Sequence, residues 1–272
     1  RKIFGKEYYS FDEGDVHYVV LDDVFYYARH YAGYIEESQL EWLENDLRDV
    51  KPGSKVVVFM HIPTWSRAAR AGEYGKEEMN KIVGNRRELY RILEPYDAHL
   101  CTAHEHYAEN YELSDSLFEH VHAPLSGLFW QSFWSMDGVP WGYYVYTIKN
   151  GDISWYYKAV GQDKSVQYTE YAVGEDRHKP DCIVANVWNY DPKWQVLWYE
   201  DGVLQGEMTK FSGWDTTICN DVDLRREKEF RWKYIGAGET QHLFYAKPSR
   251  PDAKVEIKVI DRFGNVCKPY KN

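Results

Sequence analysis

The run Val56-Val57-Val58-Phe59-Met60 is closed on one side by Pro52-Gly53 and on the other by His61-Ile62-Pro63. Unbroken apolar residues between turn signals read as a strand buried on both faces. Such a strand needs a covering layer, and the chain offers one on each side. Upstream, Ser38-Gln39-Leu40-Glu41 is a capping-box pattern, and Leu40, Leu43 and Leu47 follow at helical spacing. Downstream, Asn85 to Glu88 is a second capping signal, opening a helix through Leu89, Ile92 and Leu93 that Pro95 closes. Ala98 to Thr102 is the next strand. A hairpin precedes all of this: Tyr8 to Phe11 and Val16 to Leu21 flank the turn Asp12-Glu13-Gly14-Asp15.

The strand at Ala98 runs into Ala103-His104-Glu105-His106. Two imidazoles one residue apart at a strand end form a metal-ligand pattern, because neutral imidazole is the commonest protein ligand for transition metals. The plain alternative is a pair of histidines on a loop. His61 ends the other strand, and ligands of open α/β sheets gather at the carboxyl ends of strands. Neighbouring strands would then bring His61, His104 and His106 to one edge.

In the order His61-Ile62-Pro63 then Ala103-His104-Glu105-His106, the chain resembles the calcineurin-like metallophosphoesterases. The later motifs of that family are a strand ending in His-x-Pro and a strand followed by a Gly-His-x-His turn. The resemblance implies two divalent ions, Mn, Fe or Zn, bridged by a carboxylate and a hydroxide. His61 and His104 would ligate one metal and His106 the other. It implies hydrolysis of a phosphomonoester or phosphodiester, on a phosphorylated small molecule or a glycan or lipid phosphoester.

The family's earlier motifs, Asp-x-His, Gly-Asp-x-x-Asp and Gly-Asn-His-Asp, do not occur before His61; Asp12-Glu13-Gly14-Asp15 and Asp22-Asp23 read as turns. The bridging carboxylate, the Asn ligand and the general-acid His are therefore expected upstream of Arg1. This chain alone is expected to hold partial or no metal and to be inactive. Two positions depart from the pattern. Ala103 stands where Gly is usual, and Ala at φ > 0 is strained. Glu105, a carboxylate beside the metals, stands where a small polar residue is usual.

Thr64 to Arg70 has no steady period and reads as a loop beside the site. Trp65 and Arg67 are its candidate substrate contacts, since a guanidinium near a metal suits phosphate; a packed aromatic and a solvated charge are the alternatives. His17, His99, His120 and His122 read as sheet residues. Asn150-Gly151 joins Tyr143–Lys149 to Asp152–Lys158, the strongest hairpin signal in the chain.

Residues 161–180 are polar and aperiodic, the expected linker between a catalytic part at 1–160 and a β-domain at 181–272. In the latter, Ile183–Trp188, Gln195–Tyr199, Phe230–Ile235, Gln241–Tyr245 and Lys254–Ile260 read as strands, with turns at Asp201-Gly202 and Phe263-Gly264-Asn265. This segment, from Ala185-Asn186-Val187-Trp188-Asn189 to Asp261-Arg262-Phe263-Gly264, resembles the C-terminal β-domain of a bacterial branch of the family. That branch implies a periplasmic or extracytoplasmic location. The expected fold class is thus α/β, a partial metallophosphoesterase β-sandwich with flanking helices, plus an all-β sandwich C-terminal domain.

Composition narrows the partners. A net charge of −10 argues against a nucleic-acid backbone. No apolar run reaches the roughly 18 residues of a membrane span. The 24 Tyr and 11 Trp suit β-rich structure. An aromatic sugar platform of Trp188, Trp194, Trp198 and Trp214, on a carbohydrate- or cell-surface-binding module, competes with their use as core. Cys101, Cys182, Cys219 and Cys267 form no C-x-x-C pair.

Overall fold

The computed structural model describes residues 5–67, 79–250 and 252–271; Ala68 to Arg70 of the expected site loop fall outside the described residues. The chain divides into two compact units. The first comprises Arg1–Glu105, Glu109–His122 and Thr147–Ile153, the second His106–Ala108, Ala123–Tyr146 and Ser154–Asn272.

In the first unit, β1 (Tyr9–Glu13) and β2 (Val16–Val20) form the antiparallel hairpin, with Gly14 at φ 60° supplying the left-handed turn position. Next comes an unanticipated ribbon of β3 (Val24–Tyr27) and β4 (His30–Gly33), turned at Ala28, φ 51°, where no Gly or Asn announces a hairpin. Helix α1 (Glu37–Asp46), β5 (Lys55–Phe59), helix α2 (Arg86–Leu93), β6 (Asp97–Thr102), β7 (Glu109–Ser114) and β8 (Leu117–Val121) follow. One six-stranded sheet has the order β1-β2-β5-β6-β8-β7, its four central strands parallel and both edges antiparallel.

The inner face of this sheet, Val19, Val56, Val58, Ala98 and Leu100, shares one core with Leu40 and Leu43 of α1 and Leu89 and Ile92 of α2. Each fully buried Leu or Ile contributes about 1.5–3 kcal/mol. Neither helix uses its expected cap. Glu36 is the N-cap of α1, without a side-chain bond, and Ser38 lies inside the helix. Asn85 sits at the N-cap of α2, but its amide accepts from the Ile35 N–H at 3.1 Å and donates to the Ile35 carbonyl at 2.7 Å. It ties the helix to a distant segment instead of capping it. On the outer face Tyr9, Phe11, Tyr18 and Phe59 stack in a row at centroid spacings of 6.3, 5.0 and 6.4 Å.

The second unit holds most of a hairpin of β9 (Gly142–Lys149) and β10 (Asp152–Ala159), turned by Asn150 and Gly151 at φ 55° and 81°. Then come β11 (Val166–Tyr171), β12 (Ile183–Val187), β13 (Gln195–Glu200), β14 (Val203–Glu207), β15 (Thr209–Trp214), helix α3 (Thr216–Glu229), β16 (Glu239–Ala246), β17 (Val255–Ile260) and β18 (Lys268–Pro269). A five-stranded sheet β15-β16-β12-β11-β18 and a three-stranded sheet β14-β13-β17 share a core of Ile183, Ala185, Phe244, Val196 and Val259.

Three expectations change here. The stretch 161–180 is not a plain linker, because β11 pairs along β12 from Tyr168↔Val187 to Tyr171↔Val184; its polar residues conceal the buried Val166, Tyr168 and Tyr171. Phe230–Ile235 is not a strand. Phe230 ends α3, and Phe230 and Ile235 anchor the following loop against Ile218 and Val222. The four tryptophans do not make a platform, since Trp188 and Trp194 are buried core. Their indole N–H groups donate to Thr169 Oγ1 and Asp191 Oδ2. The described chain is β-rich with few helices, and none of these is long and apolar enough to cross a membrane. All four cysteines are free thiols.

Candidate metal centre

β5 and β6 run parallel with Phe59 beside Cys101, so the residues that follow emerge at the same edge. There the Ala103 N–H donates to the His61 carbonyl at 3.0 Å. The side chains meet as well: His104 Nδ1 lies 3.1 Å from His61 Nε2, with ring centroids 4.9 Å apart and planes at 74°. Tyr31 packs edge-on against the His104 ring at 5.8 Å. The left-handed backbone is taken by His104 at φ 61° and by His106 at φ 60°, not by Ala103. The strain expected of Ala103 is thereby moved onto the two histidines, a sign of a constrained turn.

Two buried carboxylates hold this edge in place. Asp23, just beyond β2, accepts the His61 N–H at 2.9 Å and the Ile62 N–H at 2.6 Å, one on each oxygen. Burial pushes its pKa up to about 6, against the lowering effect of those amides. Glu119, in the middle of β8, accepts from the Thr64 N–H and hydroxyl at 2.7 and 2.5 Å, the Trp65 N–H at 3.0 Å and the Thr102 hydroxyl at 3.0 Å. Full burial raises it to about 7 while the donors pull the other way. Tyr90 donates to Thr64 Oγ1 at 2.7 Å and extends the network to α2.

Sequence reasoning missed both acids. The signal for Asp23 was an acidic pair directly after a buried strand; the signal for Glu119 was one charge inside Leu117-Phe118-Glu119-His120-Val121. Uncompensated burial of a charge is costly enough that such residues hold something in place.

Trp65 is half-buried, its N–H tied to Glu119. Arg67 Nε lies 3.9 Å from Glu105 Oε2, and its backbone N–H donates to Glu109 at 3.2 Å. The unusual Glu105 thus sits beside the one guanidinium singled out for phosphate. His106 belongs to the second unit, where its ring stacks on Phe129 at 4.4 Å. His99 and His120 pair across β6 and β8, Nδ1 to Nε2 3.0 Å, and His17 lies between Asp12 at 2.8 Å and Asp46 at 2.9 Å. All three serve the sheet.

His61 and His104 are the two expected ligands that the structure brings together. Partial desolvation lowers the His61 pKa, which favours the neutral, ligating form. At 3.1 Å the two rings are within hydrogen-bond distance of each other, one nitrogen donating and the other accepting; two nitrogens each ~2.0–2.1 Å from one zinc ion would lie about 3.3 Å apart at a tetrahedral angle, so the spacing is also compatible with a shared cation. A catalytic site takes about three protein ligands. Among the described residues, no group of three or more His, Cys, Asp or Glu side chains is arranged to hold a metal ion. Two rings are compatible with a cation but do not by themselves make a site.

A family model described as the C-terminal domain of calcineurin-like phosphoesterases matches residues 119–267. No curated protein matches the chain.

Proposed function

Since the chain belongs to the calcineurin-like phosphoesterase family, we propose that it forms part of a metal-dependent phosphoesterase, with His61, His104 and His106 among the metal ligands. The observation that carries this reading is the approach of His61 to His104 at the carboxyl ends of adjacent parallel strands. In this reading the first unit belongs to an α/β catalytic sandwich with flanking helices, and the second is an appended β-sandwich domain. Among the described residues no further His, Cys, Asp or Glu completes a shell around this pair.

A bound pair of divalent ions would lower the pKa of a shared water and neutralise charge on phosphoryl oxygens. The chain's own residues do the positioning. His61 and His104 present ring nitrogens, with His61 set by the clamp of Asp23 on its backbone. Glu119 fixes the backbone of Thr64 and Trp65 that leads to Arg67. The Arg67 guanidinium is the group suited to a phosphoryl oxygen, and Glu105 competes for it.

The test is hydrolysis of p-nitrophenyl phosphate and bis(p-nitrophenyl) phosphate by the full-length protein with Mn²⁺ or Zn²⁺. Turnover that falls to background in His104→Ala supports the assignment. Unchanged turnover in that variant removes it.

A further inference from the structure

Within the second unit, a cavity of about 240 Å³ is walled by Trp134, Tyr171 and Tyr270 and by Glu170, Glu175 and Asn220. It is smaller than the ~300–1,000 Å³ of a pocket for a drug-sized ligand. Its volume suits a single small ring.

The walls are rigid. Trp134 and Tyr270 meet edge to face at 5.2 Å and 74°. The Tyr171 hydroxyl donates to Asp215 at 2.6 Å and lies 2.7 Å from Thr217 Oγ1, which immobilises its ring. Tyr270 is held by its backbone N–H on the Tyr168 carbonyl at 2.7 Å.

The polar groups are unspent. The Trp134 indole N–H has no hydrogen-bond partner among the described residues, and the Glu170 carboxylate has neither a hydrogen bond nor an ion pair among them. Glu175 uses one oxygen on the Ala172 N–H at 2.7 Å. Asn220 is engaged only through its carbonyl oxygen, 3.5 Å from Arg177 Nη1, so its two N–H donors are open. Partial desolvation at the wall and the neighbouring Glu175 raise the Glu170 pKa, against the lowering effect of the Lys271 charge.

A ligand must therefore offer an apolar face to aromatic rings and groups that both donate and accept. A phosphate or carboxylate would be repelled by Glu170 and Glu175. A quaternary ammonium would use the ring faces but leave the indole and amide N–H groups unanswered. An acyl chain would desolvate Glu170 without a partner. A pyranose meets every requirement: its C–H face packs on aromatic rings and its hydroxyls donate to carboxylates and accept from N–H groups. We propose that this cavity binds a monosaccharide unit of a glycan, with Trp134 and Tyr270 against the ring, Glu170 accepting from ring hydroxyls, and the Trp134 N–H and Asn220 donating. Of the tryptophans that the strand pattern pointed to, only Trp188 borders this site, backing its wall through Tyr270 at 6.0 Å and Thr169 Oγ1 at 3.2 Å without lining the cavity; the proposal does not rest on the phosphoesterase reading.

The test titrates the 272-residue chain with methyl glucoside, galactoside, mannoside and N-acetylglucosaminide, read by saturation-transfer NMR and tryptophan fluorescence. At least one glycoside is expected to bind. Glu170→Gln, at an exposed and unpaired position, is expected to weaken it about tenfold, the worth of one charge-assisted hydrogen bond. Trp134→Phe keeps an aromatic wall without the N–H and is expected to weaken binding severalfold. Absence of binding by every glycoside, or an affinity unchanged in Glu170→Gln, overturns the proposal. So does binding of tetramethylammonium with all sugars silent.

Discussion

The Asp23 carboxylate accepts the backbone N–H of His61 at 2.9 Å from a position almost wholly shielded from water. The contact spans β2 and β5, neighbouring parallel strands, and sets the backbone from which the His61 ring projects. In Asp23→Asn one of the two amides would face an NH₂ group rather than an oxygen. An unsatisfied buried donor costs about 1–3 kcal/mol. The variant is expected to lose that much stability in urea unfolding, and the full-length protein to lose about 10–100-fold in metal affinity. Metal affinity equal to wild type would assign Asp23 to folding alone.

Arg67 and Glu105 approach to 3.9 Å, and in the proposed function Glu105 competes with a phosphoryl oxygen for the guanidinium. Arg67→Ala should raise KM for an aryl phosphate in the full-length protein with kcat little changed, as loss of uniform substrate binding does. Glu105→Gln should lower KM by releasing the guanidinium. Steady-state kinetics on both variants decide the matter, and an equal fall in kcat and kcat/KM for Arg67→Ala would move that residue into transition-state stabilisation.

Glu119 and Asp215 hold their protons more tightly in the folded chain, at about 7 and about 6 against ordinary values of 4.5 and 3.8. Between roughly pH 4 and pH 7 the folded state then binds more protons than the unfolded one. The stability contributed by these two groups is fully present below the unfolded values and is lost as pH rises through the folded ones. Urea unfolding from pH 4 to pH 8 should show that decline, and Asp215→Asn should remove its part between about pH 4 and 6. An Asp215→Asn profile parallel to wild type would contradict the assignment.

Gly138, at φ 79°, leaves no room for a side chain: an added Cβ would lie 2.2 Å from Asp215 Cγ. Asp215 caps α3 through the Ile218 N–H and also takes Tyr171 and Asn186. Gly138→Ala therefore combines left-handed strain with displacement of a buried cap, and should cost about 2–4 kcal/mol. Differential scanning calorimetry should register a fall in Tm of about 2–4 °C per kcal/mol. A shift of less than a degree would mean that Asp215 relaxes freely.

Much of the first unit was legible along the chain. Parallel strands such as β5, where Val56, Val57 and Val58 are buried although Phe59 is exposed on the outer face, advertise themselves as apolar runs, and α1 and α2 through their leucine spacing, because burial imposes periodicity locally. The turns at Gly14, Asn150-Gly151 and Asp201-Gly202 were legible for the same reason, since a positive φ selects its residues on the spot. Strand β11 and helix α3 escaped. Tyr168 and Tyr171 are buried among polar neighbours, and α3 buries little beyond Thr216, Ile218 and Val222.

By itself the sequence determined the strand-helix-strand order around Val56 and the histidines at the strand ends. Each of these follows from side-chain chemistry within a few residues. Only the tertiary structure decided that His61 meets His104, that Asp23 and Glu119 fix that edge, and that Trp134, Glu170 and Tyr270 close one cavity. Those relationships join residues dozens of positions apart. Their energies arise from desolvation and hydrogen-bond geometry, which exist only once the chain has packed.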